Sequence, residues 1–130
     1  MGLDNGIIVK RTEATTDLKE LQPYAFSGDT ERKYSFELCY WRKCWNVREI
    51  FFNIIGYFDQ YKTELSEKDL KLIYKALKSL NHKTWDESRS VWTWKEHKRS
   101  HKRNLKALKK LIKLKHKYPN IIEAYFYDSY

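Results

Sequence analysis

The stretch YSFELCYWRKCWNVREIFFNIIGYF, residues 34–58, decides the fold class, because the spacing of its apolar residues changes partway along. Tyr34, Phe36 and Leu38 alternate with Ser35, Glu37 and Cys39, which predicts a strand over 34–39 with one apolar face. From about Trp41 the interval lengthens. Cys44, Val47, Phe51, Ile54, Ile55 and Phe58 recur every three or four residues, the stripe of an amphipathic helix, with Arg42, Asn46, Glu49 and Asn53 off it. Gly56 weakens the last turn of that helix.

Toward the N-terminus, residues 13–32 are polar and carry Pro23 and a Ser27-Gly28-Asp29 turn signal, so they read as a loop. The β-branched run GIIVKRT, residues 6–12, reads as a strand. Toward the C-terminus, Ser66-Glu67-Lys68-Asp69 has a capping residue with an acid three positions on, a helix start. Leu70, Ile73, Leu77 and Leu80 mark its inner face, and Lys68, Lys71, Lys75 and Lys78 its outer one. A third helix is expected from about Asp86 to His116, with Val91, Trp94, Leu105, Leu108 and Ile112 inward and Leu111 and Leu114 beside them. Tyr118-Pro119-Asn120 ends it, since proline cannot continue the ladder and restricts the residue before it. Ile121 to Tyr127 alternates again and reads as a strand, with Ile122, Ala124 and Phe126 on one face. The order strand, strand, three helices, strand predicts an α+β domain. A small antiparallel sheet joins the N- and C-terminal strands and packs against three helices, the last long and basic.

The totals agree with one domain over residues 1–130. Ten Tyr, six Phe and five Trp make an aromatic core the expectation, and four Gly and two Pro argue against long disordered linkers. Two cysteines, Cys39 and Cys44, are too few for a disulfide framework. The start MGLDNG lacks the basic and apolar regions of a signal peptide, and its Gly6 stands where a myristoylation motif wants Ser or Thr. No apolar run approaches the ~18 residues of a membrane span. A cytoplasmic chain with free thiols and no membrane partner is therefore expected.

The charge is unevenly distributed. Of 26 Lys and Arg, eleven lie between Lys95 and Lys117, opposed there only by Glu96, for a local net of +10. The remaining fifteen basic and sixteen acidic residues leave the rest of the chain at −1, within a total of +9. Like charges at i,i+4, such as Lys98/Lys102 and Lys106/Lys110, each disfavour a helix by a few tenths of a kcal/mol unless an anion relieves them. The candidate anion-binding residues are Arg42, Lys43, Lys95, Lys98, Arg99, Lys102, Arg103, Lys106, Lys109, Lys110 and Lys113. Trp85 and Trp92, just upstream, are candidates for stacking on unpaired bases. The competing readings are plain: lysine is a soluble, helix-favouring surface residue, and large rings usually serve burial. Arg42 and Lys43 are expected in the first turn of the first helix, where cations oppose the helix dipole and call for a nearby carboxylate such as Glu37 or Asp4.

Cys39-x4-Cys44 and His97-x3-His101 together offer two thiols and two imidazoles, a zinc-type donor set. The pairs are separated by 52 residues, and buried thiols with surface imidazoles are the expected arrangement, without a metal. No Gly-rich phosphate loop, nucleophile elbow or His-Glu-x-x-His helix occurs, so no catalytic residue and no cofactor is nominated.

Three short stretches carry a resemblance: Met1-Gly2-Leu3-Asp4, Tyr40-Trp41-Arg42-Lys43, and Ala124-Tyr125-Phe126-Tyr127-Asp128-Ser129-Tyr130. In order and placement they resemble a family of small uncharacterised bacteriophage and prophage proteins, over about a fifth of the chain. The resemblance implies a phage or prophage origin and, in that case, a host-cytoplasm location. It implies no activity; kinase-like labels carried by some members find no support in these residues. The Lys-rich third helix and the lack of a glycine-rich stretch before it depart from the family pattern.

Taken together, these residues lead to the expectation of a non-enzymatic accessory protein that binds nucleic acid or another anionic partner through its basic helix. The alternative is a protein–protein effector, docking on an acidic host protein to inhibit a host enzyme or defence complex. A nucleotide-binding or enzymatic domain with no recognisable motif is a weaker alternative, and the oligomeric state is open.

Overall fold

Ile7, Val9, Trp41, Ala124 and Phe126 lie on one side of three neighbouring strands and are all fully buried, and that shared apolar face organises the molecule. The computed structural model describes residues 4–11, 35–42, 44–56 and 63–129. Its elements are β1 (Asp4–Arg11), β2 (Ser35–Arg42), α1 (Trp45–Ile55), β3 (Thr63–Glu64), α2 (Glu67–Lys78), a 3₁₀ turn (Glu87–Arg89), α3 (Trp94–Lys117) and β4 (Ile122–Ser129). The four strands form one antiparallel sheet in the order β2-β1-β4-β3. The N- and C-terminal strands are neighbours, and three helices accompany the sheet, so the α+β expectation holds.

Helices α1 and α3 sit on the apolar side. From α1, Phe51 stacks on Phe126 with ring centroids 3.9 Å apart and meets Trp41 edge-on at 5.8 Å. From α3, Asn104 donates to the Tyr40 carbonyl at 3.4 Å. Ser66 caps α2 through a reciprocal box with Asp69, as its spacing predicts. α2 then buries Leu70, Ile73 and Leu77.

The corner where β1, β2 and β4 meet is closely interlocked. Asn5 pairs across β1 with Trp41 on one side and Asp128 on the other. Asp128 is buried, takes a hydrogen bond from Asn5 Nδ2 at 3.2 Å, and holds Arg48 Nε at 2.7 Å. A Cβ on Gly6 would lie 2.5 Å from the Cys39 carbonyl oxygen and 2.6 Å from the Tyr127 ring, so only glycine lets these strands and that ring approach.

Four expectations need correction. Strand β2 runs on through Trp41 and Arg42, and α1 starts at Trp45, so Arg42 is not in a helical first turn; Lys43 lies outside the described residues. Cys39 does not share the outer face with Glu37. The β1–β2 register slips between Ile7 and Ile8, where Ile7 opposes Cys39 and Ile8 opposes Glu37, so Leu38 is the extra residue of a bulge, and both Leu38 and Cys39 are buried. The third helix starts at Trp94 rather than near Asp86, because Thr93 and Glu96 form a second capping box; Val91 precedes it and is 54% exposed. His97 and His101 are not surface imidazoles but are buried. Strand β3, two residues long, has no counterpart in the sequence reading, and Phe58 and residues 13–32, expected as a loop, lie outside the described residues.

Candidate anion-binding face

The side chains of α3 sort by helical position. His97, His101, Asn104, Leu108, Leu111 and Lys115 follow a 4-3-4-3-4 spacing and are all buried. At 3.6 residues per turn, Lys95, Lys98, Arg99, Lys102, Arg103, Lys106, Lys109, Lys110, Lys113 and Lys117 fall in an arc of about 140° on the other side. All are exposed except the half-buried Arg103. Over 24 residues the helix is about 36 Å long, so this is a straight cationic strip on one flank of the domain.

Lys115, counted within the basic segment by sequence, does not belong to the strip. It is 8% exposed, and its Nζ donates to the carbonyls of Pro119 at 2.9 Å and Ile122 at 2.7 Å, tying the end of α3 to the start of β4. Glu96, the one acid in the segment, is held at the helix N-terminus, where its Oε1 accepts from Thr93 N at 3.1 Å. Its charge serves the cap and does not lie along the strip.

Among the described residues, no carboxylate forms an ion pair with Lys95, Lys98, Arg99, Lys102, Lys106, Lys109, Lys110 or Lys113. Four described carboxylates pair elsewhere: Glu67 with Lys71 and His116, Glu49 with Arg89, Glu123 with Lys10, and Asp128 with Arg48. Seven like-charge pairs at i,i+4 run along the strip, a destabilisation of about 2 kcal/mol in total. Packing of the buried face of α3 outweighs that figure, so the helix forms despite its charge. The first half of the strip, Lys95, Lys98, Arg99, Lys102, Arg103 and Lys106, borders an open hollow of about 600 Å³ to which no other described residue contributes.

Arg42 is exposed at the end of β2, with its Cα opposite Asp4, and does not line this hollow. Trp85 is only 5% exposed. Its ring stacks on His97 at 4.3 Å and its Nε1 donates to the Trp92 carbonyl at 3.1 Å, so it belongs to the core and offers no face to a base. Trp92 is half-buried, 6.5 Å from the same imidazole.

Behind the strip, His97 sits among Trp85, Trp92, Trp94 and His101. Neither of its ring nitrogens has a partner among the described residues. Burial, with His101 5.1 Å away, depresses its pKa to about 3, so the imidazole is neutral. Burial also lowers the pKa of His101, opposed by a hydrogen bond to the Leu77 backbone. Burial raises the Cys39 and Cys44 thiols above their ordinary value, which leaves them protonated and unreactive. Among the described residues, no three His, Cys, Asp or Glu side chains converge as a metal site would need. No described helix is long and apolar enough to cross a membrane.

No family model matches the chain, and neither curated proteins nor solved structures yield a match. The functional reading therefore rests on the geometry of these residues.

Proposed function

We propose that the protein binds the phosphate backbone of nucleic acid through the outer face of α3, as a non-enzymatic accessory factor. One observation carries this reading: a strip of exposed cations that finds no carboxylate among the described residues, while Glu49, Glu67, Glu123 and Asp128 pair elsewhere. A polyanion laid along the strip would turn each repulsive i,i+4 pair into two favourable contacts and release condensed counterions. The strip holds only Lys and Arg, cations suited to contacts with phosphate oxygens. The short-motif resemblance adds a setting, that of a small phage-type protein in the host cytoplasm.

The test is affinity purification of the full chain from bacterial lysate with and without nuclease. Nucleic acid that co-purifies, leaves at high salt and is lost on nuclease treatment is the expected result. An acidic protein retained at stoichiometric level after nuclease would overturn it in favour of the protein–protein reading.

A further inference from the structure

We infer that the phosphate-binding surface spans two helices, with Lys68, Lys71, Lys75 and Lys78 of α2 forming a second row of contacts beside the strip on α3. The inference rests on the phosphate-binding reading above and extends it from one element to a surface two helices wide.

Two contacts fix how the helices lie. His101 bonds the backbone of Leu77, near the end of α2, and His116 Nδ1 lies 2.8 Å from Oε1 of Glu67, at its start. The later residue of α3 meets the earlier residue of α2, so the two helices are antiparallel neighbours. The side-chain contact also marks where the seam runs around each helix. At about 100° per residue, Lys98 occupies the same position around α3 as His116, and Lys109 and Lys102 follow within about 40°. The strip therefore begins at the seam and turns outward from it. On α2, Lys78, Lys71, Lys75 and Lys68 follow Glu67 over about 20° to 100°, in the same sense of rotation.

On antiparallel helices, the same sense of rotation away from a shared seam leads to the same side. The buried residues agree. Leu70, Ile73 and Leu77 of α2, like His97, Leu108 and Leu111 of α3, lie in the opposite rotation, toward the core. Packed helices have axes about 8–10 Å apart, so the two rows run side by side on one face of the domain.

The row on α2 is also available. All four lysines are exposed. Among the described residues no carboxylate pairs with Lys68, Lys75 or Lys78, while Lys71 meets Glu67 at 3.7 Å. Asp69, the other acid of α2, is held in the Ser66 cap. A polyanion lying over the seam would meet cations on both sides of it, and a chain of phosphates is the partner whose charge complements both rows. DNA and RNA share that chemistry.

The experiment is fluorescence anisotropy with the full chain and a labelled DNA of about 20 nucleotides, as single strand and as duplex, with urea midpoints to show that each variant is folded. At ~0.15 M salt each ion contact contributes roughly fourfold to sixfold, so losing two lowers affinity about tenfold or more. Lys75→Gln with Lys78→Gln should therefore lower affinity for the tighter probe about tenfold or more, as should Lys98→Gln with Lys102→Gln on α3. Lys10→Glu makes the same change of net charge on β1, beside Glu123 on the sheet face turned away from the helices, and should cost less than about threefold. A loss from the α2 pair no greater than that from Lys10→Glu overturns the two-helix inference. The phosphate reading then still stands if the α3 pair weakens binding. Absence of binding by both probes at ~50 mM salt removes both readings.

Discussion

The corner formed by β1, β2 and β4 and the outer strip of α3 treat charge in opposite ways. In the corner, Asp128 is almost wholly buried and meets both Asn5 and Arg48, and Tyr127 donates to Glu37 at 2.9 Å. On the strip, eight cations face outward with no carboxylate paired to them among the described residues. A buried charge must be compensated within the fold, because the fold itself is what loses when it is not. A solvated cation can be left for an external partner. The contrast separates a region that holds the chain together from one that can act on something else.

The two regions should therefore answer differently to substitution. Asp128→Ala removes the buried carboxylate that meets Arg48 and Asn5, and should lower unfolding free energy by about 3 kcal/mol in urea titration while leaving nucleic-acid affinity unchanged. A loss of affinity without a loss of stability would erase the distinction. A smaller effect follows from acidification. His97 is neutral in the fold with a pKa near 3, against an ordinary 6.5. The unfolded chain therefore takes up the proton first. The stabilisation is complete above about pH 6.5 and is lost as pH falls from there toward 3, by about 2 kcal/mol between pH 7 and pH 5. His101 moves in the same direction. His97→Phe should flatten this part of the curve; an unchanged acid limb would mean that the imidazole is not buried among the tryptophans. The smallest effect is expected at Ser66→Ala, which removes the α2 cap and should lower stability by about 1 kcal/mol, again with binding intact.

Much of the fold was legible because period two and period 3.6 are set by burial of one face. The final strand, with Ile122, Ala124 and Phe126 sharing one face that proves to be the buried one, and the Ser66–Asp69 cap are directly legible. The bulge at Leu38 was not, since an extra residue in a strand shows only when its partner's register is known. The start of α3 is hidden although Thr93-x-x-Glu96 carries the same capping signature as Ser66-x-x-Asp69, because Val91 continues the apolar stripe in sequence and yet is exposed. The stripe itself was present in full as His97, His101, Asn104, Leu108, Leu111 and Lys115. Four of those six are polar, and a search for apolar spacing passes over them. The cationic strip was visible as composition, but the sequence did not show that Lys115 turns inward, that Trp85 is core, or that the first half of the strip borders an open hollow.

The central claim is that the exposed cations of α3 exist to meet phosphate. It is tested most directly by the slope of log affinity against log salt concentration for a labelled single strand. Each phosphate contact on a single strand contributes about −0.7 to the slope, so a steep negative slope is predicted, reduced in magnitude by about 1.4 in the Lys98→Glu, Lys102→Glu protein. Binding that does not vary with salt, or a slope untouched by those two substitutions, would contradict the account.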